Sequence, residues 1–208
     1  MFDDVRGGFF MIEKEQVLWT VCQEMTKNLK ANAICLGERT ETEILDLLNM
    51  PGIFGVFYKG RELGLGVSRD DELDLIFVDS TENFGRHLLE SCTGCSGLRR
   101  SLAALLATRY ELQAIPRSTH EQDVDRYDNY SLTKESEEKL TQWMKEHLYF
   151  STIAVGIGEE ETYVQAMINC NAPVFNLQNN KDNQYGAEIK HCRKILADQA
   201  RSFVPETV

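Results

Sequence analysis

Apolar residues along this chain fall into helical and strand-like rhythms that alternate with polar breaks. From residue 12 to 31, Ile12, Val17, Trp19, Cys22, Met25 and Leu29 give an approximate helical stripe, which predicts an amphipathic helix. Residues 1–10 have no clear period and contain Gly7-Gly8, so they read as a loose arm on which Phe9 and Phe10 could dock. Thr40-Glu41-Thr42-Glu43 has the form of a capping box ahead of Ile44, Leu45, Leu47 and Leu48. That helix should stop at Asn49, because Pro51-Gly52 follows. Ile53–Tyr58 predicts a strand, and Glu62–Val67 a returning hairpin strand weakened by Gly64 and Gly66. Arg69-Asp70-Asp71-Glu72 reads as a charged turn. Leu73–Val78 gives the strongest strand pattern of the chain, followed by a helix from about Thr81 to Glu90.

The C-terminal half is predominantly helical in pattern. A small-residue loop, Thr93-Gly94-Cys95-Ser96-Gly97, precedes a helix over Leu98–Tyr110 with Leu102, Leu105 and Leu106 on one face. Residues 111–131 are polar and read as a long loop with one short strand. Thr133 can cap a helix over Lys134–His147, whose first turn carries Glu135 and Glu137 at the positive end of its dipole. Leu140, Trp143, Met144 and Leu148 make its buried stripe. Trp19 and Trp143 both read as core residues. Phe150–Val155 predicts a strand, and helices follow over Glu159–Cys170 and Ala187–Phe203. This order predicts an α+β fold, with a small antiparallel or mixed central sheet flanked by helices.

Composition narrows the class. At 208 residues the chain suits one domain with an extension, large enough to bury a core without staples. Its net charge is −11, from 22 basic and 33 acidic residues. That balance lowers, without removing, the case for nucleic acid as a partner, because duplex binding draws on basic surface. It suits a basic protein partner as well. No apolar run approaches the ~18–20 residues needed to span a bilayer, so no membrane role is expected. Met1-Phe2-Asp3-Asp4 is acidic where a signal peptide is basic. The expected setting is therefore the cytoplasm, with the six cysteines reduced.

Several short segments, in order, carry a family resemblance. Pro51-Gly52-Ile53-Phe54 resembles a Gly-Ile-Tyr strand. Leu75-Ile76-Phe77-Val78-Asp79 runs into Ser80-Thr81-Glu82-Asn83-Phe84-Gly85-Arg86-His87-Leu88, as a Tyr-Ile-Gly strand runs into an arginine-bearing helix. Gly94-Cys95-Ser96-Gly97-Leu98-Arg99-Arg100-Ser101-Leu102 is similar to a Gly-Ser-Ser-x-Leu-Arg-Arg-Ser-Leu segment. Leu140-Thr141-Gln142-Trp143-Met144 and Pro173-Val174-Phe175-Asn176-Leu177 are similar to later segments of the same set. Together they resemble a bacterial branch of GIY-YIG nucleases over roughly residues 51–200. The sheet is then of GIY-YIG type. Residues 1–50 form an N-terminal arm and helical extension, and residues 51–208 the GIY-YIG-like domain.

The resemblance implies two tyrosines, an arginine that stabilises a pentavalent phosphate, a glutamate that holds Mg²⁺, and an asparagine after the proline. In this chain the tyrosine positions are Phe54 and Phe77, the glycine is Asp79 and the arginine position is His87. Counting back from Asn176 puts the glutamate position at Val164, an apolar side chain that cannot ligate a hard cation. The asparagine survives as Asn176. A second register, with the Tyr-Ile-Gly half at Gly64-Leu65-Gly66, also lacks the tyrosine. The expectation is therefore a catalytically degenerate GIY-YIG-like protein that acts as a binding or regulatory module without a cofactor. The alternative is a working Mg²⁺-dependent endonuclease using Arg86 and Glu161, which lies one turn before Val164. A further alternative is an acidic protein-interaction module.

Other chemistry-bearing residues are weighed beside these. Arg99 and Arg100 open a helix after a glycine-rich loop, which makes them the anion-binding candidates. Cys92-x-x-Cys95 has zinc-like spacing with His87 nearby, but no second pair completes four ligands. His120, Asp123 and Asp125 read as a solvated loop, and His191-Cys192 as a helix-face pair without a third orienting group. The asparagine-rich stretch 176–183 reads as a turn-rich loop.

Overall fold

Gly52–Tyr58, the central strand, is buried along its whole length, as its unbroken apolar sequence requires. It belongs to a computed structural model that describes residues 4–47, 51–61, 63–65, 72–90 and 92–204. Side chains are described from Gln16 onward, apart from those of Glu41, Leu45 and Leu47. The elements are α1 (Asp4–Ala31), β1 (Ile34–Cys35), α2 (Glu41–Leu47), β2 (Gly52–Tyr58) and β3 (Asp74–Ser80). They continue with α3 (Gly97–Tyr110), β4 (Ala114–Ile115), β5 (Ser131–Leu132), α4 (Lys134–His147), β6 (Leu148–Ala154), α5 (Glu160–Asn171) and α6 (Gly186–Arg201). The fold is α+β, as expected. Its four-stranded sheet, ordered β1-β6-β2-β3, is antiparallel throughout, and β4 and β5 make a separate two-stranded ribbon.

Helices cover both faces of the sheet. On one face Phe54, Val56, Phe77 and Phe150 pack against Leu98, Leu102 and Leu106 of α3, Leu140, Trp143 and Met144 of α4, and Ile189 and Ala197 of α6. On the other, Ile53, Phe57 and Val78 meet Cys22 and Leu29 of α1 and Val164, Met167 and Ile168 of α5. Burial on this second face pushes the Cys22 thiol up to about 12. Residues 4–47 thus supply the sheet with strand β1 and, through α1, with part of one of its two covers. A Cβ added to Gly52 would run into the carbonyl oxygen of Ile153, so glycine lets β2 and β6 close on each other.

Local signals hold in several places. The Thr40 capping box forms in both directions: Thr40 N–H donates to Glu43 Oε2 at 2.8 Å, and Glu43 N–H donates to Thr40 Oγ1 at 3.3 Å. Thr133 caps α4, and all four residues of the stripe read for it are buried. Elsewhere the structure corrects the reading. Helix α1 begins at Asp4, so residues 4–10 are helical instead of a loose arm. Its buried positions are Cys22 and Leu29, with Leu18 and Met25 partly buried, a regular 4-3-4 spacing; Trp19 is 50% exposed and is not a core residue. Leu63–Leu65 forms a turn and not a hairpin strand. The helix read from Thr81 is instead a 3₁₀ turn (Thr81–Asn83) and a π turn (Gly85–Leu89). The loop at 111–131 carries two paired strands in place of one. The helix stop at Asn49 and most of the charged turn at 69–72 lie outside the described residues.

Strand β3 is a sheet edge, and a side chain closes it. Asn176 Oδ1 accepts from Val78 N–H at 2.9 Å, and Asn176 Nδ2 donates to Val78 O at 2.8 Å. Beside it, Phe175 N–H donates to Ile76 O at 2.9 Å. The amide imitates one residue of a fifth strand and satisfies backbone groups that burial would otherwise strand. Asn176→Ala is expected to lower stability by about 2–4 kcal/mol, since two buried backbone groups lose their partners. Urea denaturation measures this, and a loss under about 1 kcal/mol would sink the clamp.

Candidate functional site

A cleft of about 400 Å³ opens beside β3, between the π turn, the start of α3, α5 and α6. Alternation along β3 sends Phe77 and Asp79 to the same face, and Phe54 sits opposite Asp79 on β2. Phe54 and Phe77 lie with ring centroids 6.0 Å apart, and Phe77 lies 5.0 Å from the His87 ring. Phe54 is fully buried against Phe84 and is not among the side chains lining the cleft, whereas Phe77 lines it. His87, Arg86, Val164, Glu161 and Asn176 line it too. The fold therefore gathers seven of the positions read from sequence, Phe54 lying just behind them.

His87 is held from both ring nitrogens. Nε2 lies 3.2 Å from Asp79 Oδ2, and Nδ1 lies 2.9 Å from Ser96 Oγ. Ser96 Oγ also accepts from Arg99 N–H at 3.1 Å as the N-cap of α3. With the ring proton on Nε2, the imidazole donates to Asp79 and accepts from the Ser96 hydroxyl, an assignment made from the network. Serine, histidine and aspartate are thus in line, but Ser96 is fully buried and committed to its cap, so it cannot meet a substrate as a nucleophile. Burial pushes the Asp79 carboxyl up; the bonds from His87, Ser80 N–H and Asn83 more than reverse this and hold it below its ordinary value.

Arg99 and Arg100 part company. Arg99 is wholly buried; its Nη2 donates to Glu137 Oε2 at 2.8 Å and to Thr141 Oγ1 at 2.9 Å. Glu137 also accepts from Thr93 N–H and the Thr93 hydroxyl, both at 2.8 Å. Arg99 is an internal tie and not the anion ligand expected of it. Arg100 turns to the cleft, where its Nη1 donates to Gly94 O at 2.7 Å. Arg193, from α6, joins it and donates to Gly97 O and Ser101 Oγ. Sequence reading missed Arg193, which no motif marks. Burial, then repulsion from Arg100, pulls its guanidinium down to about 10. Arg86 also reaches the cleft, its Nη2 3.4 Å from His87 Nε2. The π turn and a long side chain outweigh the one-position rotation that would separate it from His87 on a regular helix.

A divalent cation needs several oxygen ligands. Asp79 is engaged by His87, Ser80 and Asn83, and Val164 offers none. That leaves Glu161 among the carboxylates lining the cleft, facing three guanidinium groups. Among the described residues no cluster of three or more His, Cys, Asp or Glu is arranged to hold a metal. The donor set does not fit a bound divalent ion.

The remaining candidates lie elsewhere. Cys92 and Cys95 form a disulfide, which departs from the expectation of reduced cysteines and occupies the zinc-like pair. Asp123 is paired with Arg117 on the exposed loop, away from the cleft, as is His120. His191 and Cys192 are not part of the cleft lining either.

The cleft lies at a sheet edge, floored by aromatic rings and rimmed by arginines. A sequence model of the GIY-YIG catalytic domain matches residues 75–195, more than half of the chain, and the chain belongs to that family. The match begins at Leu75, after β2. No curated protein and no solved structure matches the chain. Among the described residues no helix is long and apolar enough to cross a membrane.

Two stability measurements test this geometry. Glu137→Ala strands the buried Arg99 charge and is expected to cost about 3–5 kcal/mol, far more than an exposed pair. A calorimetric scan reads this, and a loss near zero would contradict the internal tie. Asp79, with its folded pKa held down, stabilises the protein above its ordinary value of 3.8, and that contribution fades as pH falls through the lower folded value. Asp79→Asn should therefore be destabilising at neutral pH, with the gap to wild type closing in acid. A gap that stays constant with pH would exclude the linkage.

Proposed function

We propose that this GIY-YIG domain has lost metal-dependent phosphodiester cleavage and works as a binding or regulatory module through its cleft. The observation that carries the reading is the donor set. Phenylalanines stand at both tyrosine positions, so no hydroxyl assists an attacking water, and Val164 stands at the metal position. His87, at the arginine position, is engaged by Asp79 and Ser96. What the cleft keeps is affinity for an anion, from Arg86, Arg100 and Arg193. The net charge of −11 disfavours extended contact with duplex nucleic acid and leaves a local anionic ligand or a protein partner as the better fit.

One observation favours the rival reading: Glu161 and Arg86, its proposed substitutes, both line the cleft. The deciding assay incubates the purified chain with plasmid, single-stranded DNA and RNA in Mg²⁺ or Mn²⁺, beside Glu161→Ala. The expected result is no cleavage above buffer by either protein. Cleavage by the wild type that disappears in Glu161→Ala would replace this reading with that of a metal-dependent endonuclease.

A further inference from the structure

Two arginines in the cleft are half-buried and, among the described residues, form no ion pair. Among the described residues, Arg100 donates to the carbonyls of Thr93 and Gly94, and Arg193 to Gly97 O and Ser101 Oγ. Neither has a carboxylate partner among the described residues. Other arginines of the chain do find one: Arg99 pairs with Glu137, Arg117 with Asp123, and Arg201 with Asp128 and Asp198. In a chain with 33 acidic and 22 basic residues, leaving two neighbouring guanidinium groups unpaired runs against the overall charge. Like charges held close in a partly desolvated place call for an anion to offset them.

We propose, building on the metal-free reading above, that Arg100 and Arg193 anchor a phosphate monoester, with Arg86 as a third contact. A monoester fits better than a diester. Near neutral pH it carries about −1.5 to −2 charges and offers three acceptor oxygens, enough to engage two guanidinium forks together. A diester carries a single charge and offers fewer terminal oxygens to the same two forks. The neutral partners of both arginines hold the forks in place, and the two carboxylates that also line the cleft, Asp79 and Glu161, ion-pair with neither, so the site is pre-organised for the ligand. The cleft volume, about 400 Å³, suits a mononucleotide or one phosphorylated strand end. Phe77 offers an aromatic face, and Gln165 and Gln178 offer amides, to whatever the phosphate carries.

The test is a titration of the full chain in EDTA and low salt, with adenosine monophosphate, adenosine and inorganic phosphate. The readouts are calorimetry and the arginine Nε–H resonances. Adenosine monophosphate should saturate the protein, shift those resonances, and bind at least about tenfold more tightly than adenosine, since charge-assisted bonds are lost with the phosphate. Arg100→Gln and Arg193→Gln should each weaken it about tenfold or more. Because Arg193 also ties α6 to α3, Arg100→Gln and the wild-type resonances give readings independent of how Arg193→Gln folds. Equal binding of adenosine and its monophosphate, or unchanged affinity in Arg100→Gln, would overturn the proposal. A 5′-phosphorylated oligonucleotide that outcompetes both its 5′-hydroxyl form and the mononucleotide assigns the phosphate to a nucleic-acid end; otherwise the mononucleotide is the source. Cleavage of that oligonucleotide in Mg²⁺ would count against the function proposed above and not against phosphate binding. Absence of both cleavage and phosphate binding would sink the phosphate site alone.

Discussion

The bond pair between Asn176 and Val78 governs what can lie beside the sheet. An edge strand with free N–H and C=O groups invites another strand. Here the amide closes the edge at one residue, in the middle of β3, and leaves the end of the strand clear. The cleft occupies that clear end, where Phe77 and Asp79 alternate onto one face. Because Asn176 follows α5 by five residues, the same bonds fix the segment that brings α5 and Val164 against the cleft. A local hydrogen-bond pair thus sets the distance between the sheet and the helix that faces it.

Adjacent arginines on α3 show how burial sorts charge. A rotation of about 100° per residue sends Arg99 into the core and Arg100 to the cleft. Inside, the Arg99 charge is tolerable because Glu137 pairs with its Nη2 and Thr141 accepts a second bond from it, although its buried Nε finds no partner among the described residues; Glu137 in turn holds the Thr93 turn. That turn supplies the carbonyls that orient Arg100. The buried pair is therefore coupled to the cleft rim through Thr93 and Gly94, and the Cys92–Cys95 disulfide spans the same turn. Stability of the turn and orientation of the rim are one problem.

Much of this fold was legible in sequence wherever a local interaction decides. The Thr40 capping box, the α4 stripe and the strand read at 73–78, which runs over 74–80, each depend on neighbours in sequence, and each forms. Family membership was legible from the order of short segments. Features set by distant contacts were not. The α1 stripe was right at Cys22, Met25 and Leu29 and wrong at Val17 and Trp19, which are apolar yet exposed; only packing against α5 and the sheet puts Leu18 on the buried face in their place. The π turn replaces a regular helix, and nothing in Gly85-Arg86-His87 announces the change that brings Arg86 to the cleft. Arg193 stands 93 residues beyond Arg100 on an ordinary amphipathic helix, so its role emerges only when α6 docks on α3. Arg99 failed as an anion ligand for the same reason: a helix start does not tell which of two arginines faces inward.

The aromatic residues under the cleft pack as a set. Phe54, Phe77 and Phe84 form a continuous aromatic cluster that reaches His87 and Phe150. A hydroxyl returned to Phe54 would be buried there, and a buried hydroxyl without a partner costs free energy. Tyrosine at this one position would therefore destabilise the floor without restoring the metal ligand or freeing His87 from Asp79. On the proposed reading, polarity has moved from the floor, where a reaction would need it, to the arginine rim, where binding needs it. A site arranged in that way can hold an anion and leave its bonds intact.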